Sequence, residues 1–346
     1  MRNSVIIGIL GLIAGLILVG IGFVIVRGDW SKFNGKNAAS KYEHDEYRCS
    51  GRIDELEISE RAESVEIKTG NVDHPVIEYW YREDEKDRVV ITEKNGKLTF
   101  KREEQKIKVS WFSMNFEDTT TVITLPEDYA GPVNVSATSG SIRATDVKSG
   151  SDINLSANSG YLTAQNVAGR NISMKANSGT IKLTDSEAEG KVSIENTSGY
   201  ITVESVVAGG TVTLGNNSGF IKVNDLECGD ISVQNTSGGA SLAKVTCEGL
   251  YAKSSSGSLK FSGVAAKSIE AENTSGGIRL DKVAGDTIKF SCKSGSVNGS
   301  INGREDDYSI ITSTNSGSSN LTNSRSGEKS LDVTTTSGSI RITFDK

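Results

Sequence analysis

Five cations stand at one phase of a repeating pattern: Arg143, Lys182, Lys222, Lys260 and Arg279 each lie three residues after a Ser-Gly pair. Arg341 takes the same place near the C-terminus, while Thr163, Thr202 and Ser241 fill it in intervening repeats. One residue after the glycine come Tyr161, Tyr200 and Phe220, on the same face by strand parity. Evenly spaced cations beside aromatic rings are the chemistry for holding a linear anionic polymer. A plainer reading stays open beside it. Like charges one strand spacing apart, about 4.8 Å, repel about twice as strongly as at double that distance, so alternation with threonine also suits a merely solvated face.

Other reactive side chains do not assemble into a known chemistry. Carboxylates recur six residues after the glycine, at Asp146, Asp185 and Asp225, but they alternate with Asn166 and Ser205 and give way to Lys244, Gly263 and Lys282. Glycoside hydrolysis needs two carboxyl groups flanking one bond, and this column does not pair them on neighbouring repeats. The two histidines, His44 and His74, are far from any cysteine pair, so a zinc site is not expected. No Ser-His-Asp order, phosphate loop or calcium-binding nonapeptide occurs, and no catalytic residue, metal or cofactor is expected. With 44 acidic and 38 basic residues, net −6, the chain is a poor match for nucleic acid. Cys228 and Cys247 lie 19 residues apart. Stacked repeats would bring their Cα atoms to about 5 Å, within disulfide reach. Small buried thiols are equally common fillers. Cys49 and Cys292 have no partner in the pattern.

A repeat must position these side chains. Ser-Gly recurs eleven times between residues 139 and 338, at intervals of 19 to 22. Seven residues before each glycine the position is apolar throughout, from Val133 and Ile153 to Ile310 and Leu331. Further apolar positions fall five before, two after, four after and seven after. Apolar residues two apart mark strands. The parity changes at Ser-Gly, so the chain turns there, and a second turn follows each Val-x-Gly, as at Val167-Ala168-Gly169. The expectation is an all-β fold, a β-helix of about eleven coils of two strands and two turns, about 50 Å long. No coil would fold alone; neighbours must share core and hydrogen bonds. The serine before each glycine and the residue three before it are expected to face inward. Asn196, Asn216, Asn235 and Asn273 at the latter position suggest an asparagine ladder along the axis.

Residues 1–30 read as a transmembrane anchor, because the uncharged run at 5–26 is long enough to cross a bilayer as a helix. A cleaved signal peptide is the rival, but the run is long and lacks a placed cleavage motif. Gly11 and Gly15 form a G-x-x-x-G, a candidate helix-pairing face. Residues 31–41 read as a linker. Residues 42–131 are richer in charge and aromatics, with strands expected at 64–68, 76–81, 89–92, 97–101, 106–111 and 120–125, and a hairpin at Asn95-Gly96. This β-rich region is expected to cap residues 132–346, the solenoid, whose open strands need covering.

The run Val122-Ile123-Thr124-Leu125-Pro126-Glu127, followed by 133–135 and the Ser-Gly-Ser-Ile at 139–142, resembles a bacterial β-strand-repeat "putative adhesin" family of unknown function, the LiaG-like cell-envelope proteins. The likeness spans about residues 50–346 and rests on structural motifs. It implies a membrane-anchored envelope protein and carries no catalytic residues with it.

Orientation evidence conflicts. Arg27, Lys32, Lys36 and Lys41 follow the apolar run and only Arg2 precedes it, which by loop charge places the solenoid in the cytoplasm. The resemblance and the Ser/Thr/Asn-rich repeats place it outside, and a single-pass cell-membrane protein with an extracytoplasmic solenoid is the expectation. Function reads first as adhesion or scaffolding in the envelope. The partners would be the membrane through residues 5–26 and an anionic cell-wall polymer or another envelope protein. An envelope-stress sensor acting through a membrane partner and a polysaccharide-active enzyme are the alternatives.

Overall fold

Alternation of apolar and polar residues builds strands, and one coil shows how they join. Ile153–Ser159, Leu162–Gln165 and Ala168–Gly169 are successive strands. Each pairs in parallel with part of the long strand Ile172–Ala188 in the next coil. The computed structural model describes residues 42–82, 88–103 and 119–345. Over these the chain is an all-β solenoid of about ten turns. The expected anchor and linker, and the strand at 106–111, lie outside the described residues. Among the described residues no helix is long and apolar enough to cross a membrane.

Each coil has three strands and three corners, which corrects the two-strand coil expected from the sequence. The missed corner sits six residues after the glycine. Asp146, Asn166, Asp185, Ser205, Asp225, Lys244, Gly263 and Lys282 there have φ between 51° and 59°. Asn, Asp and Gly tolerate this left-handed conformation best. The recurring carboxylates are therefore backbone chemistry. A signal for the corner existed: Val147, Val167 and Val206 fall an odd step after the preceding inward residue and are nonetheless buried.

At the Ser-Gly corner the reason for glycine is steric as well as torsional. Gly219 has φ +132°, and a Cβ there would lie 1.8 Å from the carbonyl oxygen of Gly199. The serines before the glycine, such as Ser159, Ser178 and Ser198, are exposed and do not face inward as expected. The glycine torsion breaks the alternation, so only the residue three before it points into the core. The asparagines there do not hydrogen-bond one another. Each donates instead to the corner glycine of the preceding coil.

Stacking order departs from chain order at both ends. Near the C-terminus, Lys329–Ser337 pairs with Tyr308–Ser316 on one side and with Thr287–Ser294 of the longer strand Ile278–Ser294 on the other. Ile340–Asp345 likewise lies against Val297–Asn302. The last repeat is thus inserted between the two before it. Tyr308 spans the skipped level, donating from its hydroxyl to Gly285 O at 3.1 Å. The outermost repeat keeps only its first strand and a Ser319–Ile340 bridge, so eleven corners close about ten turns. Its edge is met by Ser324, which exchanges backbone hydrogen bonds with Ile310 at 2.8 and 3.0 Å.

The N-terminal end mirrors this. Glu55–Glu60 pairs in parallel with Lys97–Arg102 and with Val133–Ala137, so the earliest coil strand lies between two later ones. Val65–Thr69 sits similarly between Thr121–Leu125 and Ile142–Thr145. Val89–Lys94 and Val76–Arg82 then cover the outer edges in antiparallel pairing, and Tyr42–Arg48 covers the second of them. A buried ion pair ties these layers together. Arg102 Nε donates to both Glu60 carboxylate oxygens at 2.8 and 2.9 Å, and Thr121 Oγ1 donates to the same carboxylate at 2.9 Å. Arg102 Nη2 donates to Trp80 O at 3.0 Å.

Candidate polymer-binding face

The middle strand of each coil sets the cations in one column. Arg143, Thr163, Lys182, Thr202 and Lys222 are direct register neighbours in that order, coil upon coil. Ser241, Lys260, Arg279, Asn298 and Arg341 continue it. Insertion of the last repeat sets Arg341 directly beside Asn298. Leu162, Ile181, Ile201 and Ile221 on the same strands are fully buried, which fixes the alternate side chains outward.

Among the described residues, none of the six cations forms an ion pair. Four lysines on the other outward faces do: Lys175 with Glu195 at 2.9 Å, Lys253 with Glu272 at 2.9 Å, Lys289 with Glu270 at 2.7 Å and Lys267 with Glu248 at 2.8 Å. Donating to these carboxylates raises Lys253, Lys267 and Lys289 above the ordinary lysine value. The protein is acidic overall, yet this column lines up six unpaired cations in register. Lys148, Lys191, Lys244, Lys282 and Lys293, also without an ion pair among the described residues, lie off it. Carboxylates on it are few. Glu66 is register neighbour to Arg143, Glu204 and Asp281 flank the column, and Asp281 accepts a hydrogen bond from Ser262 at 2.7 Å.

The three aromatic residues are not equivalent. Tyr161 is 63% exposed and Tyr200 60%. Phe220 is half-buried, and its ring would come within 3.0 Å of a Cβ at Gly239 on the next coil. It covers that bare glycine, a packing role. The stripe expected from the sequence therefore comes together as a column of cations with two free tyrosines beside it.

Other candidate groups serve the fold. All four cysteines are free and buried. Cys228 and Cys247 are neighbours, as their spacing implies, and form no disulfide. The neighbouring Cys247 sulfur, together with burial, raises the Cys228 thiol above its ordinary value. Cys292 donates to Gly276 O at 3.0 Å, in the place the asparagines occupy elsewhere. His44 packs against Trp80 in a tilted arrangement, with ring centroids 4.7 Å apart. His74 borders a cleft of about 390 Å³ with Arg52, Asp73 and Asp128.

The sequence matches the Toastrack DUF4097 family over residues 53–216 and 209–346. No curated protein matches it. Among solved structures it is similar to a "putative adhesin" from Bacteroides fragilis NCTC 9343, with 11% identity over 88% of this chain and 98% of that one and a TM-score of 0.37. A "putative lipid binding protein" from Parabacteroides distasonis ATCC 8503 shares 15% identity over the same fractions, with a TM-score of 0.38. A "putative cell adhesion protein" from Clostridium sporogenes ATCC 15579 shares 10% identity over 88% of this chain and 100% of that one, with a TM-score of 0.21.

Proposed function

The chain belongs to the Toastrack DUF4097 family, and on that premise we propose that it is a non-enzymatic adhesion or scaffolding rod of the cell envelope. Residues 5–26 hold it in the membrane as a single pass, with the solenoid outside. The face carrying Arg143, Lys182, Lys222, Lys260, Arg279 and Arg341 engages a linear anionic polymer of the cell wall. The observation that carries this reading is the single register column that gathers six cations without an ion-pair partner among the described residues. Lys175, Lys253, Lys267 and Lys289 on other faces each pair with a glutamate. Open cations on an acidic protein attract a polyanion to one flank and repel it from the rest.

Charge reversal tests it. Lys182→Glu with Lys222→Glu should abolish retention of the full-length chain on purified anionic cell-wall polymer. Unchanged retention would reject the assignment. Protease treatment of intact cells tests the placement, since a protected solenoid is incompatible with an extracytoplasmic one.

A further inference from the structure

Cation and aromatic ring alternate coil by coil along one tract of this face. Five successive levels present Arg143, Tyr161, Lys182, Tyr200 and Lys222. On the tyrosine levels the cation position holds Thr163 and Thr202. On the level between the tyrosines, Thr180 takes the ring position and is register neighbour to Tyr200. Charge and ring thus share a two-coil period, about 10 Å, and are one coil out of phase.

We infer that the ligand here is a linear polysaccharide in which uncharged and uronate sugars alternate, with one carboxylate per disaccharide; this rests on the polymer-binding reading above. A pyranose chain extended along the axis advances by roughly one strand spacing, about 5 Å, per sugar. Successive sugars then meet successive coils. The uncharged sugar lays its C–H face on Tyr161 or Tyr200, whose rings stand clear of the surface. The uronate meets Arg143, Lys182 or Lys222. Thr163 and Thr202 offer hydroxyls to the sugar on the tyrosine levels. A polymer charged on every unit would set anions against those threonines, with no cation to answer them. The tract is bounded at both ends, by Glu66 opposite Arg143 and by Phe220 folded over Gly239.

Retention of the full-length chain should be compared on immobilised hyaluronan, polygalacturonate, poly(glycerol phosphate) and single-stranded DNA, at equal anion concentration and fixed salt. Hyaluronan has one carboxylate per disaccharide, and it should be retained most strongly. Tyr161→Ala with Tyr200→Ala should weaken hyaluronan retention about tenfold while sparing the fully charged polymers. Thr163→Lys with Thr202→Lys should shift the preference toward polygalacturonate. The ranking by the unaltered chain needs no variant, and matched unfolding midpoints keep the variants interpretable. Retention that simply follows charge density overturns the disaccharide match and leaves the polymer-binding function standing. Strongest retention of DNA overturns it in favour of nucleic acid. Retention of none of the four overturns both.

Discussion

The side-chain amide of Asn235 donates to the carbonyl of Gly219, one coil below, at 2.9 Å. The same Nδ2 also donates to Gly239 O in its own coil at 3.0 Å. Asn196, Asn216 and Asn273 repeat the first bond, to Gly179, Gly199 and Gly257, and Ser254 makes it to Gly238. The left-handed glycine turns its carbonyl away from the ordinary ladder, and a polar side chain one coil on satisfies it. A donor three residues before the glycine makes this bond, and a serine or a thiol can stand in for the amide. The first three repeats carry Ala137, Ala157 and Ala176 there and do without it.

Asn235→Leu strands two buried carbonyls and should cost roughly 1–3 kcal/mol. Asn235→Ser, which keeps a donor, should cost less. Thermal unfolding of both variants checks this, and equal midpoints for Asn235→Leu and the parent would refute the capping role.

The two kinds of left-handed corner should respond in opposite directions. Gly219→Ala forces a Cβ to 1.8 Å from Gly199 O and cannot be absorbed without moving the corner. A loss of more than about 3 kcal/mol is expected, in the range reserved for severe backbone strain. Lys244, at φ 51°, carries a residue ill suited to its torsion. Lys244→Asn should raise stability by about 0.5–1 kcal/mol. Denaturant midpoints decide both.

Removing the inserted C-terminal repeat should disturb more than the chain end. Lys329–Ser337 forms ladders on both sides, so truncation after residue 328 opens two interfaces. Native-state hydrogen exchange should show Tyr308–Ser316 losing its protection together with the deletion, while the central strand Val212–Cys228 keeps its own. Retained protection at 308–316 would mean the outer repeat stands without the insert.

Alkaline pH should loosen the N-terminal layers. Burial, then the nearby Glu93 carboxylate, pushes the Cys49 thiol from 9.0 up to about 12. Burial, then Asp45, pushes the Tyr79 phenol from 10.0 up to about 12. Both groups stay neutral in the fold at pH values where the unfolded chain ionises. Their contribution is complete below the unfolded values and is lost as pH climbs toward about 12. Tryptophan fluorescence followed from pH 8 to pH 12 should show this loss, with a shallower slope in Cys49→Ala/Tyr79→Phe; an identical slope would remove these groups as its cause.

The period, the inward apolar residues and the outward column of cations were legible along the chain, because each depends on a spacing that recurs every coil. The serine before each glycine, expected inward by the same parity, was not. Val133, Ile153 and Ile172 needed no partner to be identified as core. The left-handed corner at Asp146, Asp185 and Asp225 is visible as composition but not identifiable as a turn, since a carboxylate chosen for its torsion looks the same in sequence as one chosen for its acidity. Stacking order was not legible at all. The repeats at Ile310 and Leu331 share the same spacing, so by period either could follow Ile288. Thr312 and Ser319 stand where the other repeat has Val333 and Ile340, which suits the outermost level. The order itself depends on a return loop and on which arrangement covers the open edge. The freedom of Tyr161 and Tyr200, and the cover Phe220 gives to Gly239, likewise emerged only from the fold. Exposure is a property of neighbours, and neighbours about twenty residues away are brought together only when the coils close on one another.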